Sequence, residues 1–333
     1  MKPLAAGVLA RLADGGFHSG EALARSLASS RASVWNAVRE LEATGIEIYK
    51  VHGRGYRLPY PVTLLDRAAI ERHLAPHAGK FTIEVRNAVD STNTVLLQRA
   101  ANGAPDGTVI AAEWQSEGRG RLGRAWHAGV GEALTFSLLW RTDRGAGALS
   151  GLTLAVGVAL ARALGSAGAG SVALKWPNDV LWRKGKLAGV LTELQGDALG
   201  PTAVVIGVGV NVRLSEATRA RIGQAAADLE TACGAAPDRN RLLAGVLIEL
   251  DRVLEAFGRD GFAAVRDEWQ RRHAQQGRRV TLTLPDGRRR SGRARGVAED
   301  GALVLETGSG TQRFHSGEIS LRPQNRQRVM GDG

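Results

Sequence analysis

The apolar positions of the first sixty residues repeat three times at helical spacing and then alternate twice at strand spacing. They predict helices over 4–13 and 22–27, a third helix from residue 31, and two strands over 46–51 and 56–58. Ser19 and Ser30 stand where the N-caps of the second and third helices are expected. Three helices followed by a hairpin predict a winged helix-turn-helix, which we place at residues 1–60.

Beyond the proline-containing linker at 59–61, apolar runs of strand and helix type alternate to about residue 270. The predicted elements are strands over 81–85, 108–114 and 134–140, helices over 93–101, 149–164 and within 240–272, and a hairpin of 180–182 with 187–194. This order predicts an α/β domain over residues 61–275.

The pattern changes again near the C-terminus, where four short strands are separated by glycine turns. They are predicted over 279–284, 293–297, 302–306 and 311–315. Short strands joined by such turns are compatible with a small SH3-like β-barrel, which we place at 276–324 with a tail at 325–333. The fold class predicted for the whole chain is α/β, or α+β, in three domains.

Composition narrows the class of protein. A chain of 333 residues with 44% hydrophobic residues is long enough for two or three domains with their own cores. We find no uninterrupted run of about 18 apolar residues and no signal-peptide pattern, so we expect a cytoplasmic protein without a membrane partner. Cys233 is the only cysteine, which excludes an intrachain disulfide, and neither a second cysteine nor a histidine pair accompanies it at the usual spacing of zinc ligands.

The segment Gly118–Gly123 is the strongest chemical signal. Its glycines can present backbone N–H groups, and Arg119 and Arg121 add positive charge, so it suits a ligand that carries phosphate or carboxylate. It also matches the dinucleotide fingerprint G-x-G-x-x-G, but that motif requires a helix to begin at its last glycine, and 124–131 is too rich in glycine for one. No Walker A sequence or Ser-His-Asp arrangement competes with this interpretation.

This segment belongs to a series of five ordered motifs. They are Asp90–Asn93, Ala112–Gln115 leading into Gly118–Gly123 and Trp126, Lys175–Asp179, Lys186–Gly189, and Gly207–Asn211. Together they resemble the biotin protein ligases over nearly the whole chain, and in particular the bifunctional members that carry an N-terminal DNA-binding domain and repress the biotin operon.

The resemblance implies a biotin-[acetyl-CoA-carboxylase] ligase. Such an enzyme uses ATP and Mg²⁺ to convert biotin to biotinyl-5'-adenylate, and then transfers biotin to a lysine of the biotin carboxyl carrier domain. It implies catalytic roles for Lys186, Arg121 and Arg119. Residues implied at the biotin are Ser91, Thr92, Asn93, Gln115, Arg119, Gly120, Arg121 and Lys186. Residues implied on the nucleotide side are Gly118, Gly123, Trp126, Lys175, Asn178, Asp179 and Asn211, with Asp179 a candidate magnesium ligand.

The same resemblance implies that the N-terminal domain binds an operator. In a winged helix-turn-helix the second helix of the turn unit enters the major groove. The residues expected to contact DNA are Arg31, Ser33, Asn36, Arg39 and, on the wing, Arg54. The apolar pattern of the third helix does not show whether Trp35 lies on its buried or its exposed face. We expect a homodimer when the adenylate is bound, with the strand 187–194 as a candidate dimer edge.

The charge distribution does not decide whether the N-terminal domain binds DNA, or what the arginine-rich stretch 271–295 does. The formal net charge is +11, but residues 1–60 hold only eight Lys/Arg against five Asp/Glu, which does not by itself indicate DNA binding. Residues 271–295 hold nine arginines against one acid, Asp286, and this stretch is either a solvated face or a docking surface, in which case we favour an acidic carrier protein over DNA.

The sequence alone does not exclude three alternative functions. The chain could be a ligase whose N-terminal domain has another task, a lipoate-type ligase with the same catalytic fold, or a regulator that senses a small acid without turnover. Gln115 and the arginines between the glycines favour biotin over lipoate.

Overall fold

The computed structural model describes residues 1–75, 77–196 and 200–321. The tail predicted at 325–333 and the last three residues of the predicted C-terminal domain lie outside these ranges. The described residues form a winged helix-turn-helix, a seven-stranded mixed sheet covered by helices, and a five-stranded antiparallel sheet.

The N-terminal unit has the predicted three helices and hairpin. Its elements are α1 (Pro3–Leu12), α2 (Gly20–Ser26), α3 (Arg31–Ala43), β1 (Tyr49–Val51) and β2 (Gly55–Arg57). Both predicted N-caps are confirmed, because Ser19 Oγ accepts a hydrogen bond from Ala22 N at 3.0 Å and Ser30 Oγ accepts one from Ser33 N at 3.1 Å. Strand β1 begins later than predicted, since Ile48 is buried against the helices.

A seven-stranded sheet forms the centre of the molecule. Its strands are β3 (Thr82–Arg86), β4 (Thr108–Ala112), β5 (Ala133–Thr142), β6 (Val172–Lys175), β7 (Asp179–Trp182), β8 (Gly185–Gly196) and β9 (Thr202–Asn211). Their order is β3-β4-β5-β9-β8-β7-β6, with β3 and β4 parallel and every other pair antiparallel. The α/β domain expected from the alternation is confirmed, and its sheet is mixed.

The position of β8 corrects the proposed dimer edge. Residues 185–189 pair with β7 on one side, and residues 188–196 pair with β9 on the other. The first part of the strand 187–194 therefore has no free edge, and only its later residues leave one side open. The sequence pattern marks a long strand but does not determine its position in the sheet.

Helices complete this domain. They are α4 (Arg67–Leu74), α5 (Thr92–Ala101), α6 (Leu152–Leu164), α7 (Glu216–Ile222), α8 (Leu229–Cys233), α9 (Arg239–Asp260) and α10 (Ala263–Arg271). The stretch Ala146–Ala169, which contains α6, is long and apolar enough to cross a membrane, but 67% of its apolar window is buried inside the fold. Its apolar composition is accounted for by packing in the core.

The C-terminal strands form their own sheet. They are β10 (Arg279–Thr283), β11 (Arg289–Val297), β12 (Leu303–Thr307), β13 (Gly310–Phe314) and β14 (Glu318–Leu321), in the order β13-β12-β11-β10-β14. The four predicted strands are confirmed, whereas β14 was not predicted. Val280, Leu282 and Ala294 are buried in the same apolar cluster as α6 and α10, so this sheet packs on the central domain.

A buried ion pair holds the segment that follows the winged helix. Arg239 Nη2 lies 2.7 Å from Glu113 Oε2, and the same guanidinium donates to the carbonyl of Thr63 at 2.7 Å. Trp114 and Val130 pack against the core of the winged helix. Since Trp114 directly precedes Gln115, the N-terminal domain rests on segments that lead into the candidate ligand site.

Candidate functional site

Residues 118–126, here called the arginine loop, fold back on themselves. Trp126 N donates to the Gly118 carbonyl and Gly120 N donates to the Arg124 carbonyl, each at 2.7 Å. At the tip, Leu122 has φ 58° and Gly123 has φ 70°. The loop is therefore a short hairpin with a left-handed turn and not a strand-to-helix junction, which agrees with the exclusion of a dinucleotide fingerprint.

A small cavity lies beside the start of α5. Its polar floor is a connected network in which Thr92 N donates to Gln115 Oε1 at 2.7 Å and Ser137 Oγ lies 2.8 Å from Thr92 Oγ1. The predicted residues that line it are Ser91, Thr92, Asn93, Gln115, Arg119, Gly120, Trp126, Asn178 and Lys186. Because Gln115 Oε1 is engaged by Thr92, the Gln115 amide nitrogen is left as a donor for a ligand carbonyl.

Glu193 links two residues that the sequence places at the biotin. Asn93 Nδ2 donates to Glu193 Oε2 at 2.6 Å, and Arg119 Nη2 lies 3.3 Å from the same oxygen. Ser137 Oγ donates to Asn93 Oδ1 at 2.5 Å, so both ends of the Asn93 amide have protein partners. Glu193 was not singled out from the sequence, although an acid within an otherwise apolar predicted strand was a signal that could have found it.

A larger cavity adjoins the small one, and its wall carries a net positive charge. The predicted residues that line it are Gly120, Arg121, Trp126, Lys175, Asn178, Asp179, Lys186 and Asn211. It also contains Arg124 and Glu318, which were not predicted. Burial lowers the pKa of the Arg121 guanidinium, and the nearby Asp179 carboxylate opposes that shift. Arginine still remains protonated at neutral pH, so the cavity suits a polyanion.

The two cavities meet at four residues that line both of them, Gly120, Trp126, Asn178 and Lys186. Lys186 Nζ lies 2.7 Å from Asp179 Oδ1 and 5.8 Å from the centre of the Trp126 ring. Trp126 Nε1 is buried without a hydrogen-bond partner among the described residues. A buried indole N–H without a partner is costly unless an acceptor is bound nearby.

Two of the predicted asparagines donate hydrogen bonds to backbone carbonyls near the junction of the two cavities. Asn211 Nδ2 donates to the carbonyls of Lys186 and Ala227, each at 3.0 Å. Asn178 Nδ2 donates to the Val190 carbonyl at 2.8 Å. Asn211 therefore positions Lys186, a role that the sequence does not reveal.

Glycines create the space for the site, but not all of them line it. Gly118 and Gly123 do not line either cavity, and a Cβ at Gly118 would lie 2.8 Å from the Trp126 carbonyl oxygen. A Cβ at Gly209 would lie 2.5 Å from the Trp126 ring, and one at Gly207 would collide with the Asn93 amide. The two glycines of β9 therefore leave room for Trp126 and Asn93.

The candidate DNA face lies on α3 and the hairpin. Arg31, Asn36 and Arg39 are exposed, whereas Ser33 Oγ lies 2.9 Å from the capping Ser30 Oγ. The Arg54 guanidinium stacks 4.0 Å from the centre of the Phe17 ring. Trp35, which the sequence does not place, is 47% exposed on the same helix. Arg39 lies 4.9 Å from the centre of its ring.

Family models match three parts of the chain. They are a biotin/lipoate A/B protein ligase family over 85–211, a biotin protein ligase C-terminal domain over 277–322, and a helix-turn-helix domain over 7–57.

Three similar proteins agree with these family models. The bifunctional ligase/repressor BirA of Escherichia coli (strain K12) is 36% identical over 95% of this chain and 96% of its own length. The biotin-[acetyl-CoA-carboxylase] ligase of Mycobacterium tuberculosis is 35% identical over 76% of this chain and 94% of its own. The biotin protein ligase from Aquifex aeolicus in complex with biotin and ATP superposes with a TM-score of 0.62 at 29% identity, covering 72% of this chain and 98% of that one. The chain therefore belongs to the biotin protein ligase family.

Proposed function

We propose that this protein is a biotin-[acetyl-CoA-carboxylase] ligase that also acts as a biotin-responsive transcriptional repressor. The observation that carries the ligase activity is the pair of cavities that meet at Lys186. The small one offers a few neutral polar groups, as the ureido ring of biotin requires. The larger, cationic one suits the phosphates of ATP.

In the first reaction, a carboxylate oxygen of biotin forms a bond to the α-phosphorus of ATP, and the bond to pyrophosphate breaks. Two anions must approach each other, so fixed positive charge at the junction lowers the barrier. Lys186 lies at the junction, Arg121 lines the nucleotide side and Arg119 lines the biotin side. We assign all three to stabilising this charge.

In the second reaction, the neutral amine of a carrier lysine attacks the carbonyl carbon of the adenylate. An amide bond forms, AMP leaves with the electron pair of the anhydride bond, and the amine loses a proton. The carrier domain of acetyl-CoA carboxylase is the proposed acceptor. The tip of the arginine loop, at Leu122, is 66% exposed. We propose that the loop orders over the bound adenylate.

Mg²⁺ is proposed as a companion of the ATP phosphates. No group of three or more His, Cys, Asp or Glu side chains suited to a metal occurs in residues 1–75, 77–196 and 200–321. Magnesium commonly uses one or two carboxylates together with substrate phosphates. Asp179, in the larger cavity, is the carboxylate that we assign to it. Magnesium would neutralise phosphate charge.

The test of the ligase assignment is mass spectrometry of the protein mixed with biotin, ATP, Mg²⁺ and an isolated carrier domain. We expect a mass increase of one biotinyl group on the carrier and none when ATP is omitted. A parallel reaction with lipoate examines the lipoate-type alternative. An unmodified carrier would refute the proposal and favour a regulator without turnover.

We propose the repressor activity for residues 1–60, with Arg31, Ser33, Asn36 and Arg39 contacting the DNA in the major groove and Arg54 approaching a phosphate of the DNA backbone. Adenylate would favour a dimer whose two winged helices engage a palindrome together. We keep the boundaries 61–275 for the ligase domain and 276–324 for the C-terminal domain. We also propose a cytoplasmic location for the protein.

The test of repression is a titration of DNA upstream of the chain's own gene and of biotin-synthesis genes, at fixed salt, with and without biotin and ATP. We expect tighter binding with both ligands and a loss of affinity when carrier domain consumes the adenylate. Identical binding curves with and without the two ligands would refute the proposed repressor activity and would not affect the proposed ligase activity.

A further inference from the structure

One exposed face of helix α3 carries a tryptophan between two arginines. Residues four apart on a helix lie on the same side, and Arg31, Trp35 and Arg39 have this spacing. Asn36 lies beside them, and all four residues are exposed. We call these four residues the outer face of α3. Val38, on the opposite side of the helix, is fully buried in the core of the winged helix.

The outer face of α3 has a net positive charge. Its two arginines contribute this charge, and the two acids of the helix are engaged by other partners. Glu40 Oε1 accepts a hydrogen bond from Lys2 N at 2.6 Å, and Glu42 Oε2 lies 2.8 Å from Lys50 Nζ. A helix face with two arginines and an amide suits the phosphates and base edges of a DNA major groove.

Trp35 adds an apolar surface to this face, and it is 47% exposed. Single exposed apolar residues are common on proteins. Here, however, the Arg39 guanidinium lies 4.9 Å from the centre of the Trp35 ring, and this cation–π contact restricts the orientation of the ring. Trp35 lies in the second turn of α3, in the N-terminal part of the helix that contacts base edges in helix-turn-helix proteins. The apolar group that base pairs present in the major groove is the C5-methyl group of thymine.

We infer that Trp35 helps to select the operator sequence by contacting the methyl group of a thymine in the major groove of each half-site. The inference rests on the proposed repressor activity, because it requires α3 to enter that groove. The indole offers an apolar surface and one N–H donor, and cytosine, which has no methyl group at C5, would leave that surface in water. Another protein is the competing partner for an exposed tryptophan, but the arginines on either side of Trp35 favour DNA.

The experiment replaces thymine with uracil in the DNA, because this change removes the C5-methyl group and keeps the base pairing. The full chain, with biotin and ATP, is mixed with DNA from upstream of its own gene in which single thymines are replaced at random positions. Comparison of bound and free DNA then shows which methyl groups contribute to binding. The proteins compared are wild type, Trp35→Ala, the conservative Trp35→Phe, and the control Leu321→Ala, which shortens an apolar side chain of similar exposure, 53%, on β14.

For wild type, we expect uracil at one position or more of each half-site to weaken binding by about fourfold, the effect of no longer burying one methyl group. In Trp35→Ala, uracil at one of these positions should have no further effect, because the indole that contacts the methyl group is absent. Leu321→Ala should show the wild-type pattern. Trp35→Phe should show a reduced effect at the same position, so it tests the inference even if alanine disturbs the winged helix.

The same pattern of uracil effects in wild type, Trp35→Ala and Trp35→Phe would overturn the inference and would leave Trp35 to a protein partner. So would a Trp35→Ala variant that binds thymine and uracil duplexes more weakly by the same factor, because Trp35 would then support the helix or non-specific binding only. If wild type itself does not bind this DNA, the proposed repressor activity fails first, and the two failures are thereby distinguished.

Discussion

Lys186 Nζ lies 2.7 Å from Asp179 Oδ1, so the cation at the junction of the two cavities is already paired with an anion. Strands β7 and β8 place the two side chains together, with Asp179 opposite Gly189 and Leu181 opposite Lys186. The pair holds the ammonium at the point where the carboxylate of biotin and the phosphate of ATP are proposed to meet. Pre-orientation of this kind avoids reorganisation during the reaction.

Replacing Lys186 with alanine is expected to slow adenylate formation by about 100-fold, the typical effect of removing one preorganised charge-stabilising group. The measurement is biotin-dependent ATP–pyrophosphate exchange. Lys184→Ala is the matched control, since Lys184 is exposed in the turn of the same hairpin. An unchanged exchange rate in Lys186→Ala would refute its role in charge stabilisation.

Arg121→Gly is expected to let the adenylate form but escape, because the change removes a charge from the cavity wall and loosens the loop. The ratio of released adenylate to modified carrier should rise several-fold. Arg183→Gly is the matched control, since Arg183 is exposed at φ 53° in the turn between β7 and β8 and lines neither cavity. A wild-type ratio in Arg121→Gly would mean that this residue does not retain the intermediate.

Gly207→Ala is expected to weaken biotin binding at least tenfold, because the new methyl group would collide with the Asn93 amide beside the small cavity. Calorimetric titration with biotin measures this. Gly245→Ala is the control, since a Cβ there meets no atom within 4 Å and alanine favours a helix. Equal biotin affinity in the Gly207 variant would show that the ligand does not depend on this network.

The stability of the fold is expected to depend on pH through His273. Burial lowers the pKa of this imidazole to about 4, from an ordinary value of 6.5. The unfolded chain therefore takes up the proton first, so the contribution of His273 is complete above about pH 6.5 and is lost as the pH falls towards 4. The shift corresponds to about 3 kcal/mol.

Urea unfolding at several pH values tests this expectation, with His273→Gln as the reference that cannot titrate. The difference in unfolding free energy between wild type and variant should shift in favour of the variant as the pH falls from 7 to 4. Parallel curves for the two proteins would contradict a neutral, buried His273.

Local signals predicted the elements and the ligand class. The caps at Ser19 and Ser30 and the glycine-rich arginine loop depend on neighbours within a few residues, so the sequence contains all the information that they need. The resemblance to the biotin protein ligases, which the ordered motifs carry, implied that Gln115, Lys186 and their companions share one site, and the cavities contain most of them.

Long-range partners could not be predicted in the same way. Glu318 pairs with Arg124 across 194 residues, and Glu193 joins Asn93 to Arg119 only because β8 lies beside β9 in the sheet. The free edge expected along 187–194 was wrong in its first part for the same reason. A hydrophobic pattern specifies which face of a strand is buried, but strand order and register arise from packing of the whole sheet, and these decide which side chains meet at the site.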